Sequence, residues 1–162
     1  MIGTGQPPVL LYAVETSLQL YITELSEPLR ELYVMAYSLP STSEYIYCAT
    51  AKKLQQIFGT YVPRYQERDF YEMDIATGGI MRGFMAKKCN LYFTMEQKVY
   101  RFLHCCLRLY CVPESEIEAA IKTVGTLDLQ KKAEHLIGQV VAAAGKGFQE
   151  VMSSCGEELV DE

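Results

Sequence analysis

The stretch Thr94-Met95-Glu96-Gln97-Lys98-Val99-Tyr100-Arg101-Phe102-Leu103-His104-Cys105-Cys106-Leu107-Arg108-Leu109-Tyr110-Cys111 carries the clearest structural signal in the chain. Advancing about 100° per residue from Met95 gathers Met95, Val99, Phe102, Leu103, Cys106, Leu109 and Tyr110 on one broad arc. Gln97, Arg101, His104 and Arg108 gather on the opposite side. Segregation at this period belongs to a helix that packs one face into a core. Thr94 stands where an N-cap belongs, and Val112-Pro113 stops the helix because the residue before proline disfavours the α region.

The same signals extend outward on both sides. Pro113-Glu114-Ser115-Glu116 opens a short helix through Lys122, with acids at the positive end of its dipole. After a turn at Val124-Gly125-Thr126, a long helix is expected from Leu127 to Ser153. Its stripe holds Leu129, Ala133, Leu136, Ile137, Val140, Ala144, Phe148, Val151 and Met152. The small-residue patch from Ala142 to Gly147 suits close approach of another helix, and its glycines equally suit a kink.

Toward the N-terminus, the pattern predicts a helix from Pro8 to Leu25, with Leu10, Val14, Leu18, Tyr21, Ile22 and Leu25 on one face. Ser26 then caps a second helix whose stripe is Leu29, Leu32, Tyr33 and Ala36. A third starts at Ser41, paired with Glu44 in a capping box, and places Tyr47, Ala51, Leu54 and Phe58 opposite Lys52, Lys53 and Gln56. Between Thr60 and Phe93 the signal weakens, and Pro63, Gly78-Gly79 and Gly83 punctuate it. The pattern there allows two short helices around Arg68–Ile75 and Ile80–Lys88, and Cys89-Asn90-Leu91-Tyr92-Phe93 reads either as extended or as the lead into the next helix. The reading is all-α: a single-domain bundle of five to seven helices over residues 1–156, with an acidic C-terminal tail at 157–162.

Composition agrees with a folded chain of this kind. Hydrophobic residues make up 49% and charged residues 22% of the 162, the reverse of the balance that keeps chains disordered. The net charge of −5 opposes nucleic-acid binding, which draws its affinity from a basic surface. No apolar run reaches the roughly 18 residues needed to span a bilayer, and the start lacks the basic segment of a signal peptide. Six cysteines are expected to be free thiols, since Cys105 and Cys106 adjoin in a helix where their side chains diverge. A cytoplasmic location follows from these readings as an expectation.

Candidate chemistry is sparse. His104 with Cys105, Cys106 and Cys111 lacks the paired, converging spacing of a structural zinc site, and His135 stands alone in another helix. Gly145-Lys146-Gly147 lacks the first glycine and the hydroxyl residue of a phosphate loop. Thr77-Gly78-Gly79 with Arg82 reads as a turn rather than an anion site. The segment Glu114–Gln139 has too few basic residues for a DNA-reading helix pair. No catalytic, cofactor-binding or metal-binding residue is assigned. The expectation is a non-catalytic module for binding a protein partner or for self-association, as an adaptor, chaperone-like or regulatory subunit. The alternative is a small helical enzyme or ligand-binding domain with a buried pocket.

Two surfaces are candidates for that contact. One is the stripe Arg101, His104 and Arg108, two permanent positive charges and a titratable ring on an otherwise acidic chain. The other comes from the twelve tyrosines, with Tyr33, Tyr45 and Tyr47 at the start of their densest cluster. Tyrosine serves either as core filler or as a rigid interface residue, and both readings stay open on sequence alone.

Overall fold

The computed structural model describes the backbone of residues 5–160 and the side chains of residues 5–147. It contains seven helices and, among the described residues, no strand. They are α1 (Pro8–Leu25), α2 (Glu27–Ala36), α3 (Pro40–Phe58), α4 (Glu67–Ala86), α5 (Met95–Leu109), α6 (Glu114–Gly125) and α7 (Leu129–Val160). The chain is an all-α bundle, as the periodicity requires.

α1 is the axis, and it touches each of the other six helices. Such a helix must be apolar on nearly all sides, and Val9, Ala13, Val14, Leu20 and Ile22 are all buried. Its buried Thr16 and Thr23 return their hydroxyls to the backbone, Thr16 to the Tyr12 carbonyl and Thr23 to the Leu20 carbonyl, each at 2.8 Å. Around α1, Tyr110 follows α5 and stacks parallel on Phe58 of α3 with ring centroids 4.0 Å apart. Tyr12 meets Phe58 edge-on at 5.1 Å, and Phe70 of α4 completes the aromatic cluster. The Tyr110 hydroxyl, buried with the ring, lies 3.3 Å from Thr77 Oγ1.

α5 meets its sequence expectation at the cap and in most of its core arc. Thr94 and Gln97 form a reciprocal capping box, and Val99, Phe102, Leu103 and Cys106 are buried. α5 ends with Cys111 in the left-handed region at φ 59°, while Val112 N–H reaches back to the Leu107 carbonyl at 3.1 Å.

Several local expectations are corrected. The glycines at 78, 79 and 83 lie inside one continuous helix, α4, rather than in a turn between two. Gly78 is there for packing: a Cβ at that position would lie 2.8 Å from the Tyr47 ring, so its absence lets α3 and α4 close together. α3 begins at Pro40, one residue before the expected start, so Ser41 is not the cap, and Glu44 instead accepts a hydrogen bond from the Tyr71 hydroxyl at 2.8 Å. Leu32 of α2 and Leu109 of α5, both read as core, are exposed. α7 starts at Leu129 and continues unbroken to Val160 instead of stopping at Ser153. Among the described residues of its stripe, Leu129 and Ala133 are buried and Ile137 is half-buried; Leu136, Val140 and Ala144 are exposed, as is every residue from Gly138 to Gly147. Phe148, Val151 and Met152 lie outside the described side chains. None of the helices is long and apolar enough to cross a membrane among the described residues.

Candidate functional site

A groove of about 600 Å³ lies between α5 and the α6–α7 turn, floored by Val99, Ile121, Val124 and Leu127. Tyr21, Tyr92, Phe93 and Tyr100 supply aromatic walls, and Glu96 and Arg101 stand among its lining groups as one acid and one base. The elements that frame it explain its shape. α5 turns Val99 toward the core and leaves Tyr100 and Arg101 outside, while the short α6 leaves room before α7 begins.

At one edge of the groove, the loop between α4 and α5 raises Leu91 and Tyr92 into solvent at 93% and 92% exposure. Two adjacent large apolar side chains exposed this fully form an apolar surface feature. The loop is not slack. Asn90 Oδ1 accepts hydrogen bonds from the Tyr92 and Phe93 amides at 2.8 and 2.9 Å, and Asn90 and Phe93 exchange backbone bonds at 3.0 and 3.3 Å.

The base of this loop is pinned by a buried ion cluster. Lys98 of α5 is completely buried, with Nζ 2.5 Å from Glu24 Oε1 of α1 and also hydrogen-bonded to the Lys87 carbonyl. Glu24 takes the Cys89 amide at 3.3 Å and Arg30 Nη2 at 3.0 Å, and Arg30 binds Glu27 at 2.6 Å. Burial works to raise the Glu24 carboxyl, but the Lys98 hydrogen bond and charge, the Cys89 amide and Arg30 together bring it below its ordinary value. Lys98 also lies 5.8 Å from the centre of the Phe93 ring. One lysine therefore ties α1, α5 and the start of the exposed loop together.

Of the residues singled out from sequence, Arg101, His104 and Arg108 share one shallow concavity along α5, whereas Tyr33, Tyr45 and Tyr47 lie apart on α2 and α3. Arg101 is exposed at the groove, its guanidinium 5.6 Å from the Tyr100 ring centre, with no ion pair among the described residues. His104 is not on a wet face: it is 4% exposed, because α6 folds across that side of α5. Its ring lies 4.4 Å from Tyr100, with Nε2 3.0 Å from Glu118 Oε1 and Nδ1 3.4 Å from Glu114 Oε1. Arg108 is spoken for by Glu114 through two hydrogen bonds of 2.9 and 3.1 Å. Tyr33 is half-buried against the core, Tyr47 is half-buried between Gly78 and Tyr71, and Tyr45 is exposed. The tyrosines divide between core and surface: Tyr12 and Tyr110 are buried, whereas Tyr45 and Tyr92 face solvent.

Sequence reasoning missed Leu91 and Tyr92. Their signal was Asn90, a turn-forming residue placed directly before an apolar pair. It also missed a polar cluster within the bundle. There Asp74 of α4 accepts hydrogen bonds from Thr50 and, at 3.2 Å, from Thr77, and burial raises its carboxyl above the ordinary value despite both hydroxyls. The cleft beside it, bounded by Tyr37, Gln19 and Lys53, measures only about 100 Å³. Comparison with known proteins brings no likeness to this site or this fold: no family model, no curated protein and no solved structure matches the chain.

Proposed function

We propose that this chain is a non-catalytic protein-binding module, and that it receives an apolar or aromatic segment of a partner in the groove between α5 and the α6–α7 turn. The observation that carries the reading is the pair Leu91 and Tyr92, held almost fully exposed on a hydrogen-bonded turn at the groove's edge. A rigid aromatic anchor loses little conformational entropy on binding, which is why such residues dominate interface energetics. Glu96 and Arg101 flank the apolar floor and offer one charge of each sign for orienting the partner. A role as adaptor or regulatory subunit follows from this mode of action.

A second reading has one observation in its favour: about 600 Å³ also falls within the range of small-molecule sites. Affinity capture from the native source, using wild type and the Leu91→Ser/Tyr92→Ser double variant in parallel, separates the two. The expected result is a partner retained by wild type and lost by a double variant of unchanged melting temperature. Arg101→Glu should weaken the same partner without unfolding the chain. Identical capture by wild type and double variant would overturn the proposal, and a small molecule retained by the purified chain in native mass spectrometry would favour the second reading.

A further inference from the structure

We infer that His104, Glu114 and Glu118 form a three-ligand site for a divalent transition metal of the zinc class, where α6 crosses α5. Glu114 and Glu118 are one helical turn apart and so project from the same face of α6. His104 enters from α5, and the three candidate ligand atoms all lie within 4.8 Å of one another.

The histidine is what makes this more than two acids on a helix. It is 4% exposed, and its Nδ1 has no hydrogen-bond partner. Both ring nitrogens face carboxylates, which only accept: Nε2 faces Glu118 at 3.0 Å and Nδ1 faces Glu114 at 3.4 Å. A neutral imidazole carries one N–H and one lone pair, so one carboxylate oxygen must face a lone pair. The carboxylates also repel each other across the turn. A cation bound to one ring nitrogen and shared by the two carboxylates removes both conflicts, with the other nitrogen keeping its N–H. A ring nitrogen with two carboxylate oxygens is a donor set that suits zinc better than magnesium or calcium.

The distances allow this with small movements. Ligand atoms around tetrahedral zinc stand about 3.3–3.5 Å apart, given metal–ligand bonds of about 2.0–2.2 Å. Both glutamate side chains are more than half exposed and can rotate inward, whereas the buried histidine is already placed. Arg108 Nε holds Glu114 Oε2 at 3.1 Å, and together with Nη2 it keeps that carboxyl ionised, below its ordinary value. Oε1 would leave Nη2 for the metal while Oε2 stays anchored. Three protein ligands leave one tetrahedral position, which a water or a partner's side chain would fill.

The test uses the full chain with ZnCl2, and MgCl2 as the control. With only two histidines in the sequence, nitrogen NMR of the imidazoles reports each separately. One equivalent of zinc should shift the His104 ring nitrogens and leave His135 unchanged, and magnesium should shift neither. By calorimetry, Glu118→Gln should weaken zinc binding tenfold or more, as should His104→Ala. Glu118 is half exposed, so its variant keeps the test open if the histidine variant does not fold. Zinc that leaves the His104 resonances unmoved overturns the assignment, as does zinc binding at wild-type strength in Glu118→Gln. A His104 ring protonated at both nitrogens that zinc does not displace also overturns it, because a proton then serves as the cation. None of these readouts involves Leu91 or Tyr92, so the site stands or falls apart from the proposed partner groove.

Discussion

Lys98 Nζ lies 2.5 Å from Glu24 Oε1, joining α5 to α1 through an ammonium that has no contact with solvent. Removing one member of a buried pair costs about 3–5 kcal/mol when the other is left unpaired. Glu24 keeps Arg30 at 3.0 Å, so the cost here is about 2–3 kcal/mol. Lys98→Met should therefore lower the unfolding free energy by about that amount in urea denaturation. It should also raise amide exchange at Cys89, whose N–H rests on Glu24. A loss under about 1 kcal/mol would mean that water reaches the pair.

The acid limb of the stability curve should carry two opposed contributions. Glu24 is held below its ordinary 4.5, so it stabilises the fold above that value, and the contribution is lost as pH falls through its lower folded-state value. Asp74 is raised above 3.8 by burial, so its contribution has the other sign: it is present below 3.8 and lost as pH rises through the raised folded-state value. Thermal melts between about pH 3 and pH 7 should show a shallower acid loss for Glu24→Gln. Asp74→Asn should be relatively more stable at the neutral end than at the acid end, and the opposite trend would reverse the assignment.

Phe102 is completely buried on the core face of α5, edge-on to Phe84 with centroids 6.1 Å apart. Phe102→Ala should cost about 3–5 kcal/mol, from lost burial together with the cavity left behind. Chemical denaturation measures it, and a cost near zero would place the wrong face of α5 inside.

Cys111 holds φ 59° with an exposed side chain, a conformation that costs a residue bearing a Cβ roughly 1–2 kcal/mol. Cys111→Gly should raise stability by about 0.5–1 kcal/mol, once glycine's greater unfolded-state freedom is deducted. A lower melting temperature for this variant would show that Cys111 contributes contacts that outweigh the strain.

The helical class, the start of α5 at Thr94 and its core residues Val99, Phe102 and Cys106 were legible in the sequence. These depend on backbone geometry and on a period of 3.6, both local to the segment. The tertiary structure decided how each non-core face was used. His104 was assigned to the wet side of α5 correctly as a matter of angle, yet α6 lies over that side and buries it. Lys98 shows the same limit more sharply: a lysine on a helix reads as solvated, and only the arrival of Glu24 from 74 residues away makes its burial affordable. Leu32, Leu136 and Val140 show the reverse, apolar positions with helical spacing that no other described helix covers. Periodicity states which residues share a face, whereas burial depends on what long-range packing brings against that face.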